Sequence, residues 1–126
     1  MKTLPYWFIG LGTLFALAGM GFGVYMSATQ DFTLAPAHAH NNLLGWVTMA
    51  LYGFYYKAVP SAGATRLALA HFWIAFIGAL GFGPGVALAI LGKTEVVIQI
   101  ASLLVILGML IFAWTVWTNK RGLTTE

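Results

Sequence analysis

Four apolar runs, at 4–27, 36–59, 67–91 and 96–117, take up most of this 126-residue chain. A bilayer core about 30 Å thick is crossed by roughly 20 residues of helix, and each run meets that length. The connections are short and polar. Residues 28–35 form a loop with Asp31, 60–66 a Pro/Gly/Ser turn, 92–95 a Gly-Lys-Thr-Glu link, and 118–126 a polar tail. Hydrophobic residues make up 60% of the chain and charged residues only 7%, against about 25% charge in a soluble domain. A water-soluble fold of this length cannot hide so much apolar surface, whereas lipid removes the need to hide it. The sequence therefore predicts an all-α, integral membrane four-helix bundle, with residues 1–126 as one transmembrane domain. The first run is longer than a signal-peptide core and no small-residue cleavage site follows it, so it is expected to be retained.

Positive residues set the topology. If the spans alternate, Lys2, Lys57, Arg66, Lys120 and Arg121 share one side and only Lys93 takes the other. Both termini are then expected in the cytoplasm, in a multi-pass protein of a bacterial-type inner membrane. Tyr6, Trp7, Tyr55, Tyr56, Trp114 and Trp117 fall near the expected interfaces. The basic residues are scattered at helix ends rather than clustered, which argues against nucleic acid as a partner. With no cysteine, disulfides, iron–sulfur clusters, zinc–thiolate sites and covalent c-type heme attachment are excluded. Gly10, Gly12, Gly19, Gly21 and Gly23 offer small faces on the first helix, and Gly78, Gly81, Gly83 and Gly85 on the third. Pro84 is expected to kink the third helix.

The chemistry has few possible carriers. Two of the three histidines open the second run, in Pro36-Ala37-His38-Ala39-His40-Asn41-Asn42. Pro36 suits a first helical position, where its missing N–H costs nothing. Ligand-type side chains at membrane depth are expensive, which makes His38 and His40 metal- and cofactor-binding candidates. Their spacing leaves two arrangements open. In a helix, residues two apart point about 200° from each other, so one metal cannot take both. In an extended segment they point the same way and can chelate. His71 lies one turn inside the third helix, roughly 15–20 Å from His40 along the membrane normal, and is expected to be a hydrogen-bonded structural residue. With no spare histidine in the chain, further ligands must come from a second copy, hence a homo-oligomer. Tyr52, fourteen residues beyond His38, falls on the His38 side of a regular helix, where it can meet a cofactor edge or simply pack. Met20 and Met26 lie close in depth to the two histidines, and thioether with imidazole suits Cu(I). Gln99 is expected to bond between helices.

The segment from Ala37-His38-Ala39-His40 through Gly53-Phe54 to Pro60 resembles the tenth helix of subunit I of the heme–copper oxidases. There an Ala-His-Phe-His motif starts the helix, and a Gly-Phe and then a Pro close it. The stretch His71-Phe72-Trp73-Ile74-Ala75-Phe76-Ile77-Gly78, continuing to Phe82-Gly83-Pro84, is similar to that family's eleventh helix. The first and last runs fit its ninth and twelfth, so the resemblance covers the whole chain. His40-Asn41-Asn42-Leu43-Leu44 is also similar to a His-Thr-Asn-Leu-Leu stretch bearing a heme ligand in nitric oxide reductases of the same superfamily. The resemblance implies that His38 takes the high-spin and His40 the low-spin heme position, on opposite faces of one helix. Because the family's subunit is three arcs of four helices, it also implies a homotrimer with hemes between subunits, with a heme-sharing homodimer as the fallback. The family's copper-site histidines, cross-linked tyrosine and proton-channel acids have no counterparts here. Full oxygen reduction coupled to pumping is accordingly not expected.

The expected function is that of a membrane b-type heme protein, active in electron transfer or small-gas redox chemistry, with an unspecified redox partner. His38, His40, Asn42 and Tyr52 form the cofactor-binding set, and His38 and His40 are the metal ligands. Two alternatives stand beside it. One is a copper-binding membrane protein using His38 and His40 with Met20 or Met26; the other is a non-catalytic assembly subunit.

Overall fold

The computed structural model describes residues 2–124, without the Arg121 side chain. Met1, Thr125 and Glu126, which the single-domain reading includes, lie outside the described residues, as does the Arg121 side chain counted in the charge asymmetry. The described chain is helical nearly throughout and contains no strand. Helix α1 spans Leu4–Thr29, with Pro5 in its first turn, and stops at Gln30, whose backbone is left-handed (φ 55°). A short loop follows, in which Asp31 accepts hydrogen bonds from the Thr33 hydroxyl and amide at 2.6 and 3.0 Å. These bonds, the hydroxyl's first, hold the Asp31 carboxyl below its usual range.

The second run is helical from residue 35 to residue 58, but not uniformly so. It begins as α2 (Ala35–His40), passes through a π-helical segment (Asn41–Thr48), and ends as α3 (Met49–Ala58). One turn, α4 (Pro60–Gly63), leads to α5 (Arg66–Ile90), where the Thr65 hydroxyl accepts from the Ala68 amide as an N-cap. Helix α5 continues through Pro84 and ends at Gly92 (φ 66°), where the Lys93 amide reaches back to the Leu88 carbonyl at 2.9 Å. Only a glycine takes that backbone angle without strain, so the Gly-Lys-Thr-Glu link closes tightly. Helix α6 covers Val96–Thr118, and a 3-10 turn follows at Lys120–Gly122.

Among the described residues α1, α5 and α6 are each long and apolar enough to cross a membrane. Their surfaces suit that role. In α6 the most apolar window has a mean hydropathy of 2.7, yet only 11% of it is buried. Leu103, Ile106 and Leu110 are exposed along it, and water would not tolerate such a stripe. The chain is thus an all-helical, multi-pass type of membrane protein.

Close approach between helices rests on small residues. Gly12, Ala16, Gly19 and Gly23 repeat along the face of α1 that meets the second run, opposite Trp46, Asn42 and His38. Gly78, Gly81 and Gly85 of α5 receive Val105, Ala101 and Ile98 of α6, the most extensive helix contact in the molecule. Gly10 and Gly21, by contrast, face open space. The large-residue core gathers at the end of the molecule where α1 begins and α6 ends. Leu4, Phe8, Met49, Tyr52, Tyr56, Val59 and Phe72 pack there, and Gly122 lies against Val59. At the opposite end, with Asp31 and the two neighbouring histidines, Gly19, Gly23 and Gly83 admit Asn42, His38 and Asn41.

Candidate cofactor site

His38 and His40 both lie in α2, so the chain is helical rather than extended at this point. Their rings diverge accordingly. His38 turns toward α1: its Cε1 would sit 3.1 Å from a Cβ placed on Gly23, and its ring centroid is 6.2 Å from that of Phe22. Asn42, one turn on, donates from Nδ2 to His38 Nε2 at 3.3 Å, while His38 Nδ1 is buried without a partner. Asn42 has room only because residue 19 is glycine; a Cβ there would collide with its Oδ1.

His40 turns toward α5 and the molecular surface. Its ring stacks on Phe82, with centroids 5.0 Å apart and planes inclined by 25°. Its Nδ1 lies 2.7 Å from the Pro36 carbonyl. A carbonyl can only accept, so in the neutral ring the proton sits on Nδ1 and Nε2 keeps a bare lone pair. Fixing one nitrogen of an imidazole in this way is how proteins aim the other at a metal.

The remaining sequence candidates fall elsewhere. Tyr52 is buried at the far end of the second run, its ring 4.4 Å from His71 and 4.6 Å from Phe112. The π-helical segment lies between His38 and Tyr52 and winds fewer degrees per residue than an α-helix, so the face shared in a regular helix is not kept. The void beside Tyr52 is about 10 Å³, room for one water. His71 is fully buried and its Nδ1 lies 2.9 Å from the Tyr56 hydroxyl, the hydrogen-bonded arrangement expected of a structural residue; its Nε2 has no partner. Met26 is buried and Met20 is exposed on another face of the same helix, α1. Gln99 is exposed, and no hydrogen bond joins its side chain to another described residue.

Two residues outside the candidate set belong to the site. Asn41 donates from Nδ2 to the Phe15 carbonyl of α1 at 3.0 Å, and its Cβ packs on Gly83 of α5. It thereby ties three helices together where the π-helical segment begins. Phe82 holds the His40 ring. The sequence carried a signal for each, in the Asn41-Asn42 pair and in Phe82-Gly83-Pro84. A cavity of about 250 Å³ lies between α1, α2 and α5, with His38, Asn41, Gly19 and Gly83 on its walls. It is smaller than a porphyrin requires. Among the described residues no three of His, Cys, Asp or Glu come together as a ready metal cage. No family model, curated protein or solved structure matches this chain.

Proposed function

We propose that this chain is a b-type heme-binding subunit of a bacterial-type inner membrane, related to subunit I of the heme–copper oxidases, in which His40 would hold the iron. The observation that carries the reading is the His40 ring, whose Nδ1–H is spent on the Pro36 carbonyl and whose Nε2 lone pair is free. An outward imidazole at membrane depth, braced by Phe82, is costly without a partner. Heme iron, when bound, supplies one-electron redox chemistry. The chain's own part is to aim His40, to cover a porphyrin edge with apolar side chains, and to keep water away by burial in lipid. The second helical run is read as a fourth span. Lys2 and Lys57 line one cavity at the end where α1 begins, which favours a cytoplasmic location for that end.

Protein purified from iron- and copper-replete cells is expected to show a Soret band, and His40→Ala to lose it. An unchanged band in His40→Ala overturns the assignment. Copper held by both histidines would need rings that converge, and these diverge. Stoichiometric copper without a Soret band would decide for copper, and absence of both for a non-catalytic assembly subunit.

A further inference from the structure

We infer that the cofactor site is completed by a second copy of this chain, the two His40 rings binding one heme from opposite faces, with His38 not a ligand. This rests on the heme reading above and goes beyond it in fixing the second ligand, the stoichiometry and the symmetry.

The argument starts from what one chain can offer. It has three histidines and no cysteine. His71 is sealed in the core, with one ring nitrogen hydrogen-bonded to Tyr56. His38 faces α1, and its Nε2 already accepts from Asn42. His40 alone has a free imidazole lone pair on a nitrogen that is not buried. A heme with two axial imidazoles needs one on each face, and a single chain supplies one.

Symmetry then selects the pairing. In a three-fold ring every subunit meets two neighbours through two different surfaces, so each heme between neighbours needs two different ligand surfaces from every chain. With His38 turned inward, this chain has only one. A two-fold pair joins the same surface to itself, and an axis through the iron gives each axial position an identical His40.

The surface around His40 suits that pairing. Leu43, Val47, Leu51 and Phe54 continue along the second run as an exposed apolar stripe, between 43% and 60% accessible. None of the other described helices covers it. Its upper part can lie against a porphyrin face and its lower part against the same stripe of the second copy. His38 meanwhile is turned into its own chain, against Gly23 and bonded to Asn42.

The test uses the full chain purified in mild detergent, with iron and protein quantified independently. The expected ratio is one heme to two chains, with near-infrared magnetic circular dichroism and electron paramagnetic resonance signals of a low-spin bis-imidazole heme. His38→Ala is expected to keep both the ratio and the spectrum. His40→Gly is expected to lose heme and to regain it when free imidazole is added, a rescue that a merely structural role would not give. One heme per chain, a five-coordinate high-spin spectrum in the wild type, or loss of heme in a folded His38→Ala protein overturns the inference while leaving heme binding intact. Wild-type protein without any heme overturns the functional reading itself. The wild-type ratio and spectrum need no substitution, so the test stands even if a variant fails to fold.

Discussion

Replacing Tyr56 by phenylalanine isolates the one polar pair buried in the large-residue core. The Tyr56 hydroxyl lies 2.9 Å from His71 Nδ1, and the two residues are 1% and 0% accessible. His71 Nε2 already lacks a partner, so removing the hydroxyl leaves both ring nitrogens unpaired. Abandoning a buried polar group costs about 1–3 kcal/mol in soluble proteins. Hydrogen bonds within membranes average about 0.6 and reach about 1.7 kcal/mol, because the unfolded chain in the membrane also finds partners. Full burial in an aromatic cage places Tyr56→Phe near the upper membrane figure, at about 1.5 kcal/mol. The double variant Tyr56→Phe/His71→Phe should recover most of this loss. It removes both polar groups, and a phenyl ring in place of His71 sits among Phe8, Tyr52 and Phe112, whose rings already pack on that position. Equilibrium unfolding in mixed detergent and dodecyl sulfate micelles measures all four proteins of the cycle. Wild-type stability in Tyr56→Phe, or a double variant whose loss is the sum of the single losses, would refute the reasoning.

Other expectations follow from the same packing. Gly85→Ala brings a Cβ within 2.8 Å of the Ile98 backbone, so α5 and α6 must separate, at about 1–3 kcal/mol, whereas Gly10→Ala meets nothing and should be neutral or mildly stabilising. Thermal melts in detergent compare the two, and equal effects would contradict the packing. Asn41→Leu removes the bond to the Phe15 carbonyl and should cost about 0.5–1.5 kcal/mol; an unchanged melt would show that this bond does not tie α1 to the second run. Asp31 should titrate with a midpoint below 3.8, the Thr33 bonds being present above that midpoint and lost as pH falls through it. A carboxyl chemical-shift titration with a midpoint at or above that value would show the turn to be absent.

The helical limits were legible because the apolar runs have hard ends. Helices α5 and α6 begin and end within about one residue of their runs, and Gly92 stops α5 where the Gly-Lys-Thr-Glu link indicates. The divergence of His38 and His40 was one of two arrangements that their spacing left open, and the helix that begins ahead of His38 selects it. The π-helical segment was not legible. Asn-Asn-Leu-Leu-Gly-Trp-Val-Thr fits an α-helix equally well, and the features that accompany the wider winding are tertiary or local bonds. Asn41 reaches across to the Phe15 carbonyl, Gly45 lies against the Phe15 ring, and the Thr48 hydroxyl caps the Leu43 carbonyl at 2.8 Å. That winding separates Tyr52 from the His38 face and joins it to His71 and Phe112. The inward turn of His38 was hidden for the same reason, since it depends on Gly19 and Gly23 of another helix admitting Asn42 and an imidazole.

The most direct measurement is the optical spectrum of the purified wild-type chain, recorded with iron and copper analysis on the same sample. A Soret band with iron in proportion to protein is the result that His40 and its Pro36 bond predict. Iron-free protein with no Soret band, from cells supplied with both metals, would contradict the heme assignment.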